Sequence, residues 1–581
     1  MLTDLGQLRS LPEGLFARCS LDPQGCIALE RQQQGGFQKV SAAQFQTKVQ
    51  ARAEGLLRLG VKRGERVILM APNSMDWAIM DFAILSIGAI TVPLYPSFSP
   101  REIHYVLGDS GPGLVLLEGK QEWEKMRGEG WGVSQERILL RDAAAAEDAG
   151  LGHWVQLEQG NTPAQRQERT ERLAELHRDQ IASIVYTSGT TGWPKGVILS
   201  HGNLLSNIAG FLPLVPLRRG QRLLSILPLS HVFERGTGHF GAYLLGLEIA
   251  YAERPDTVLR DMEAAHPDIV VAVPRVFQLL YSRVRRSIEE RKGIVGRFMQ
   301  RGAGLSSNDR PAPQWQRRLA RHLLASGLRK KLGGHLRFFV SGGAPLDEDI
   351  ARFFLKIGLP IVEGYGMTEA SPVIAANPLD HIRPGTVGRF LPNLEGRIAA
   401  DGEILVRGPS IMSGYWNNDS ATRETLVEGW LHTGDVGSLD EEGYLTIYDR
   451  KKDLIVNSAG ENIPPQKIEM RLMAQPLISQ AMVFGDRLPY LSALIFPNPE
   501  QVHTRFGVNP DANILRKAIQ ESITAALQDL PSYEQVRRFA LLPEALSEAH
   551  GEVTPTLKIK RRVVAERYAE LLNEMRKNPW T

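Results

Sequence analysis

Three glycines, four hydroxyl side chains and one lysine fall within ten residues in the run Thr187-Ser188-Gly189-Thr190-Thr191-Gly192-Trp193-Pro194-Lys195-Gly196. Backbone N–H groups that converge on a point bind phosphate oxygens, and glycine lets the chain present them without a side chain in the way. Hydroxyls add donors and can reach a Mg²⁺ ion, while a lysine supplies a mobile positive charge. The run therefore has the chemistry of a phosphate site. It is not a Walker A loop, because G-x-x-x-x-G-K-[ST] does not occur in it. A stretch this long with this composition is also too specific for an ordinary Gly/Ser/Thr-rich turn.

Such a site needs rigid supports on either side. The apolar run 181–186 before the loop reads as a strand, and 203–212 after it reads as a helix. The pattern recurs: strand 66–70 precedes helix 74–87, and strand 336–340 precedes helix 347–357. Strand, turn, helix, strand is the signature of a sheet covered by helices, with Pro and Gly at the turns. The apolar stretch 77–92 is broken by Asp81 and Gly88 and stops at Pro93. It predicts a buried core helix, since a bilayer span needs about 20 mainly apolar residues. No repeat of fixed period is present.

At 581 residues the chain exceeds a single ordinary core. Its 43% hydrophobic and 23% charged content is that of a soluble globular protein, and excludes disorder or a fibrous repeat. A net charge of +3 implies no bulk polyanion, so no nucleic-acid partner is expected. Cys19 and Cys26 form no C-x-x-C spacing, which fits a reducing compartment. The start MLTDLGQLRSLPEGLF has an early acid and no long apolar core, unlike a secretory signal. A cytoplasmic location is the expectation.

A boundary is predicted near Tyr448-Asp449-Arg450-Lys451-Lys452-Asp453. Before it, 443–448 reads as a strand after an Asp-Glu-Glu-Gly turn. After it, about 130 residues suffice for a small α+β domain. The expected division is a large domain at 1–449 and a small one at 450–581. From composition alone the charged run is either a hinge or an ordinary polar turn. A second biased segment, 282–331, holds 14 Lys/Arg against Glu289, Glu290 and Asp309, a net of +11. It reads either as a solvated helical face or as a basic amphipathic surface that meets anionic lipid at the inner face of the membrane.

The run YTSGTTGWPKGVILSHGNL resembles the signature loop of the acyl-adenylate-forming (AMP-binding) superfamily, which includes acyl-CoA synthetases, luciferases and nonribosomal peptide adenylation domains. Further motifs follow in order. Glu363-Gly364-Tyr365-Gly366-Met367-Thr368-Glu369 is similar to the family's adenine and magnesium motif, and Trp430-Leu431-His432-Thr433-Gly434-Asp435 to its ribose motif. The run 448–453 is similar to its hinge, and Ser458-Ala459-Gly460-Glu461-Asn462 to its thioester-step loop. Leu227-Pro228-Leu229-Ser230-His231-Val232-Phe233-Glu234-Arg235, with Val273-Pro274-Arg275-Val276-Phe277 and the basic insertion, resembles the long-chain fatty acyl-CoA synthetase subgroup.

The resemblance implies an α/β fold: a large multi-layer N-terminal domain of sheets covered by helices, plus a small mobile α+β C-terminal domain. It implies ATP-dependent activation of a long-chain fatty acid to acyl-AMP, then transfer to CoA with release of AMP and pyrophosphate. Thr187, Ser188, Thr190, Thr191 and Lys195, with Gly189 and Gly192 between them, would hold the triphosphate. Thr187 and Glu369 would hold Mg²⁺. Gly343, Ala344 and Pro345, together with Gly364, Tyr365, Gly366 and Thr368, would line the nucleotide, and Asp435 and Arg450 its ribose.

Lys558 would reach the reacting carboxylate and α-phosphate. Leu557 stands where many members have glycine, and the register of Arg561 selects Lys558 over Lys560. Ser458, Gly460 and Glu461 would serve the CoA step, and the hinge would turn at Asp449 or Lys452. His231 is expected beside the carboxylate, although taken alone it could be a core histidine. Two alternatives stay open: a fatty acyl-AMP ligase that loads a carrier protein, and a catalytically silent acyl- and nucleotide-binding protein. Chain length and oligomeric state are not legible.

Overall fold

The strands Arg66–Met70, apolar after its first residue, and Leu114–Leu117 are parallel neighbours whose apolar residues are buried. This is the pattern of a sheet covered on both faces. The computed structural model describes every residue other than 1–3, 33–35, 129–131, 188–192, 253–256, 290–313, 549, 555–558 and 578–581. For 287–289, 314–318, 320 and 321 it describes the backbone alone. The chain divides into two compact units: Met1–Gly396 with Val406–Leu431, and Arg397–Leu405 with His432–Thr581.

The larger unit is built on two sheets. One has eight strands in the order Gly414–Tyr415, Lys195–Ser200, Ile181–Thr187, Ile90–Pro93, Arg66–Met70, Leu114–Leu117, Ile138–Leu140 and Gly152–His153. The other has nine, and its parallel centre runs Ile361–Gly366, Phe338–Ser341, Ile269–Ala272, Arg222–Ser225 and Glu248–Tyr251. The helix Met75–Ser86 is buried on all sides, as expected of a helix that is apolar all round. Ser74 caps it by accepting from the Trp77 N–H at 3.1 Å.

Two expectations are corrected in detail. The apolar stretch 77–92 is not one helix. The helix stops at Ser86, Gly88 turns the chain at φ +73°, and the β-branched Ile90-Thr91-Val92 enter a strand. The phosphate loop does not run straight into a helix either. A return strand, Lys195–Ser200, comes first, and Ser200 then caps the helix His201–Phe211 through a reciprocal box with Asn203.

The smaller unit has a three-stranded sheet, Ile478–Phe484, Leu491–Pro497 and Val536–Leu541. The helices Pro465–Met473 and Ala512–Leu527 contribute Ile468, Leu472, Ile519 and Ile523 to its core. No helix among the described residues is long and apolar enough to cross a membrane.

Candidate active site

In the larger unit the strands on either side of the run expected to bind phosphate pair antiparallel, with Thr187 opposite Lys195. Ser188, Gly189, Thr190, Thr191 and Gly192 lie outside the described residues. Just after them in the chain, Trp193 stacks on Tyr105 with ring centres 4.7 Å apart, and the Arg101 guanidinium lies 4.6 Å from the Trp193 ring centre.

The return strand carries a second partner. Gly414–Tyr415 pairs with it, Tyr415 opposite Val197, which puts the Tyr415 ring 4.9 Å from the Lys195 ammonium. The Tyr415 hydroxyl donates to Glu369 Oε1 at 2.7 Å. One tyrosine therefore joins the cation at the end of the phosphate hairpin to the acid expected to bind metal. Sequence reasoning missed Tyr415, which lies outside every motif quoted for the resemblance.

Glu369 sits in the tight turn Thr368–Ala370, which follows the strand Ile361–Gly366. Asn207 holds that turn from the helix His201–Phe211: its side-chain amide donates to the carbonyls of Ala370 at 3.1 Å and Val373 at 2.7 Å, and its oxygen accepts from the Val373 N–H. Gly366 is required here, because a Cβ would fall 2.0 Å from the Pro372 carbonyl oxygen. Asn207 was not anticipated either. A carboxylate tied through Tyr415 to Lys195 suits Mg²⁺, which commonly takes one or two carboxylates, with phosphate oxygens and water completing its shell.

Ser341 and Glu363 are opposite each other in parallel strands, which sets the turn Gly342-Gly343-Ala344-Pro345 beside the strand carrying Gly364, Tyr365 and Gly366. A Cβ on Gly342 would meet the Phe233 ring at 2.7 Å, and Gly343 has φ +83°. Glu363 lies beneath this turn and accepts from the Leu346 N–H at 3.0 Å. Burial pushes its carboxyl up to about 8, so it is neutral at pH 7.

His231 leads into a π-helical stretch, Glu234–Gly241, a form often found at functional sites. Its Nδ1 accepts from the Phe233 N–H at 3.1 Å, and its ring lies edge-on to Tyr95 with centres 6.5 Å apart. Glu234 is fully buried and burial likewise pushes it up to about 8. Gly238 makes room for it, since a Cβ there would fall 2.5 Å from Glu234 Oε1.

In the smaller unit Asp435 and Arg450 face each other across antiparallel strands, with Nε to Oδ1 at 3.1 Å. Asp449 is buried. Burial raises its carboxyl, while Oδ1 and Oδ2 accept from the N–H groups of Arg450 and Gln466. Lys452 is exposed. Ser458, Gly460 and Glu461 form the turn between two short strands, with Gly460 at φ +83°. Asn457 shapes that turn by accepting from the N–H groups of Ala459 and Glu461, both at 2.9 Å. Lys558 lies outside the described residues. Arg561 is anchored to Glu469 at 2.5 Å and to the Val483 carbonyl at 2.8 Å.

A family model described as AMP-binding enzyme matches residues 17–416, and one described as AMP-binding enzyme C-terminal domain matches 452–578. The chain belongs to the AMP-binding enzyme family. This AMP-binding enzyme is 37% identical over 567 residues to long-chain-fatty-acid–CoA ligase FadD15 of Mycobacterium tuberculosis, covering 94% of this chain and 93% of that one. It is 28% identical over 612 residues to the long-chain-fatty-acid–[acyl-carrier-protein] ligase AEE15 of Arabidopsis thaliana, covering 92% and 82%.

Two solved structures share its fold. The adenylation domain of a Mycobacterium chelonae carboxylate reductase has a TM-score of 0.78 at 22% identity, covering 98% of this chain and 91% of that one. An anthranilate CoA ligase in complex with anthranoyl-AMP has a TM-score of 0.75 at 20% identity, covering 97% and 99%.

Proposed function

We propose that this AMP-binding enzyme joins a long-chain fatty acid to CoA at the expense of ATP. The observation that carries the reading is Tyr415, which links Lys195 of the phosphate hairpin to Glu369. The full-length similarity to a long-chain-fatty-acid–CoA ligase supplies the substrate class.

A carboxylate is a poor electrophile because oxide is a poor leaving group. In the first step a carboxylate oxygen attacks the α-phosphorus of ATP, and pyrophosphate leaves with the electrons of the broken P–O bond. Catalysis of such a step is positioning plus neutralisation of developing charge. Lys195 and the hydroxyls of the loop meet the departing phosphates, His231 orients the carboxylate, and the Gly343–Pro345 turn with Tyr365 receives the adenine. Mg²⁺, held by Glu369 and Thr187, would supply positive charge to the phosphate oxygens. In the second step the CoA sulfur attacks the acyl carbon, AMP leaves with the electrons of the broken C–O bond, and the thiol proton is released to solvent. Asp435 and Arg450 serve the ribose, Lys558 the first step, and the turn around Gly460 the second.

The functional division falls at 449/450. Asp449 would have to release two backbone amides to turn, which favours Lys452 as the pivot. A cytoplasmic location fits Cys19 and Cys26, which form no disulfide.

We infer further that the fatty acid is collected at an anionic membrane face by the basic segment. Of segment 282–331, residues 290–313 lie outside the described ones. Leu319 and Leu323 are exposed in the helix Gln314–Lys331, and Arg283, Arg285 and Arg286 are exposed in Pro274–Glu289 along with Leu279 just ahead of the segment. Equal liposome binding by wild type and a variant with those arginines neutralised sinks that part.

Incubation with ATP, palmitate and free CoA tests the main reading. AMP and palmitoyl-CoA formed in equal amounts is the expected result. AMP without palmitoyl-CoA would point instead to a carrier-protein acceptor, the activity named for the Arabidopsis relative.

A further inference from the structure

We propose that Arg235 is a positioning residue that couples the acid-binding turn at His231 to the strand carrying the phosphate hairpin. This rests on the reading of His231 and the hairpin as the two halves of the adenylation site.

Arg235 is the second residue of the π-helical stretch, and its backbone N–H donates to the His231 carbonyl at 3.0 Å. Its side chain is buried and all of its nitrogens are engaged. Nε and Nη2 donate to Asp81 Oδ2 and Oδ1 at 2.8 and 2.6 Å, a bidentate pair, and Nη1 donates to Ser183 Oγ at 2.6 Å.

The acceptors tie three elements together. Asp81 lies in the helix Met75–Ser86 and also accepts from Thr91 Oγ1 at 2.7 Å, while Ser183 Oγ donates to the Thr91 carbonyl at 2.7 Å. His239 Nε2 lies 3.3 Å from Asp81 Oδ2. Burial by itself would raise the Asp81 carboxyl, but Arg235 and His239 hold it below the ordinary carboxylate range. The rings of Phe240 and Trp77 flank the guanidinium at 5.0 and 5.8 Å.

Ser183 and Thr187 share one strand, Ile181–Thr187. A continuous path therefore runs from His231 through the Arg235 side chain to Ser183 and along the strand to Thr187. A strand backbone is stiff along its length, and a planar guanidinium with three directed bonds permits little rotation. The consequence is a fixed distance between the carboxylate site and the triphosphate site. Only the first half-reaction needs that distance, because it joins an atom from each. The thioester step begins from an adenylate already made.

Ser183→Ala is the informative variant. It cuts the link to the strand and leaves the buried ion pair intact. Arg235→Lys is the companion: it keeps the charge but lacks the fork. With palmitate, pyrophosphate–ATP exchange is expected to fall about tenfold in Ser183→Ala and about 100-fold in Arg235→Lys, the scale of a small misplacement of reacting atoms. Palmitoyl-CoA formation from chemically supplied palmitoyl-adenylate and CoA stays near the wild-type rate. Equal losses in both half-reactions, or no loss in folded Ser183→Ala, would overturn the proposal.

Amide hydrogen exchange judges the coupling whatever the substrate proves to be. In Ser183→Ala, residues 181–187 and 231–241 gain exchange together, and a gain confined to one segment refutes the bridge. Wild type that shows no exchange with any fatty acid refutes the proposed substrate instead.

Discussion

Lys195 and Arg235 are both cations of the larger unit that lie beside aromatic rings, and they are held in opposite ways. Lys195 is half-buried at the end of a hairpin, with its ammonium 4.9 Å from the Tyr415 ring centre. A ring face stabilises a cation without supplying a hydrogen-bond acceptor, which leaves N–H donors for the substrate anion of the proposed function. Arg235 is buried, and every one of its nitrogens is committed to Asp81 or Ser183. The first arrangement suits chemistry and the second suits geometry. The acids divide along the same line. Asp81 keeps its charge in the interior because a guanidinium faces it. Glu363 and Glu234, equally buried without one, keep their protons to about pH 8.

The contrast breaks first at Glu369. Glu369→Gln keeps the shape and removes the carboxylate at the edge of the proposed phosphate site. Pyrophosphate exchange is expected to fall about 1000-fold, the upper range for loss of one charge-stabilising group. An exchange rate within tenfold of wild type would remove Glu369 from the chemistry.

Arg235→Met tests the opposite role, since it leaves Asp81 charged and alone in the core. Unfolding by urea should show a loss of about 3–5 kcal/mol, and Asp81→Asn combined with Arg235→Met should recover much of it. A single-variant loss below about 1 kcal/mol would mean that the pair behaves like a surface ion pair.

Tyr415→Phe sharpens the comparison at the active side, because it keeps the ring against Lys195 and removes only the hydroxyl on Glu369. A hydrogen bond to a charged group is worth about 1.5 kcal/mol, so kcat/KM for ATP is expected to drop roughly tenfold. A loss no larger than twofold would separate Tyr415 from Glu369 in function.

The smallest effect is that of Glu363→Gln on pH dependence. The folded-state value is raised, so the stabilisation from the neutral acid is full below the ordinary value of 4.5 and is lost as pH rises to about 8. The glutamine variant should show a shallower fall of Tm over that window, with Glu234 maintaining part of the slope. Identical Tm–pH curves for variant and wild type contradict a protonated Glu363.

Much of the scaffold was legible from local pattern. The strands at 66–70 and 181–186 and the helix at 347–357 appear within a residue or two, because apolar runs bounded by turn residues have few other ways to bury themselves. The return strand Lys195–Ser200 was missed because its run is short and leads directly into a helix cap. Trp77–Val92 was read as one helix because periodicity alone does not distinguish a buried helix from a buried strand. The left-handed Gly88 marks the change.

The residues of the larger unit that bind nucleotide or acid in the proposed function stood out in the sequence because each lies in a compact run with unusual composition. Tyr415, Asn207 and Asp81 did not. Tyr415 reaches Glu369 across 46 positions, Asn207 reaches Val373 across 166, and Arg235 reaches Asp81 across 154.

By itself the sequence determined a loop with the composition of a phosphate site, an ordered set of motifs and an α/β chain with a second, smaller part. Those are local properties: which N–H groups glycine exposes, which runs are apolar, where the chain can turn. The tertiary structure alone decided which charges would meet. An aspartate inside an apolar helix reads the same in one dimension whether an arginine faces it or not. Only packing brings the two within 2.6 Å, and only that distance distinguishes a costly buried charge from the brace of a site.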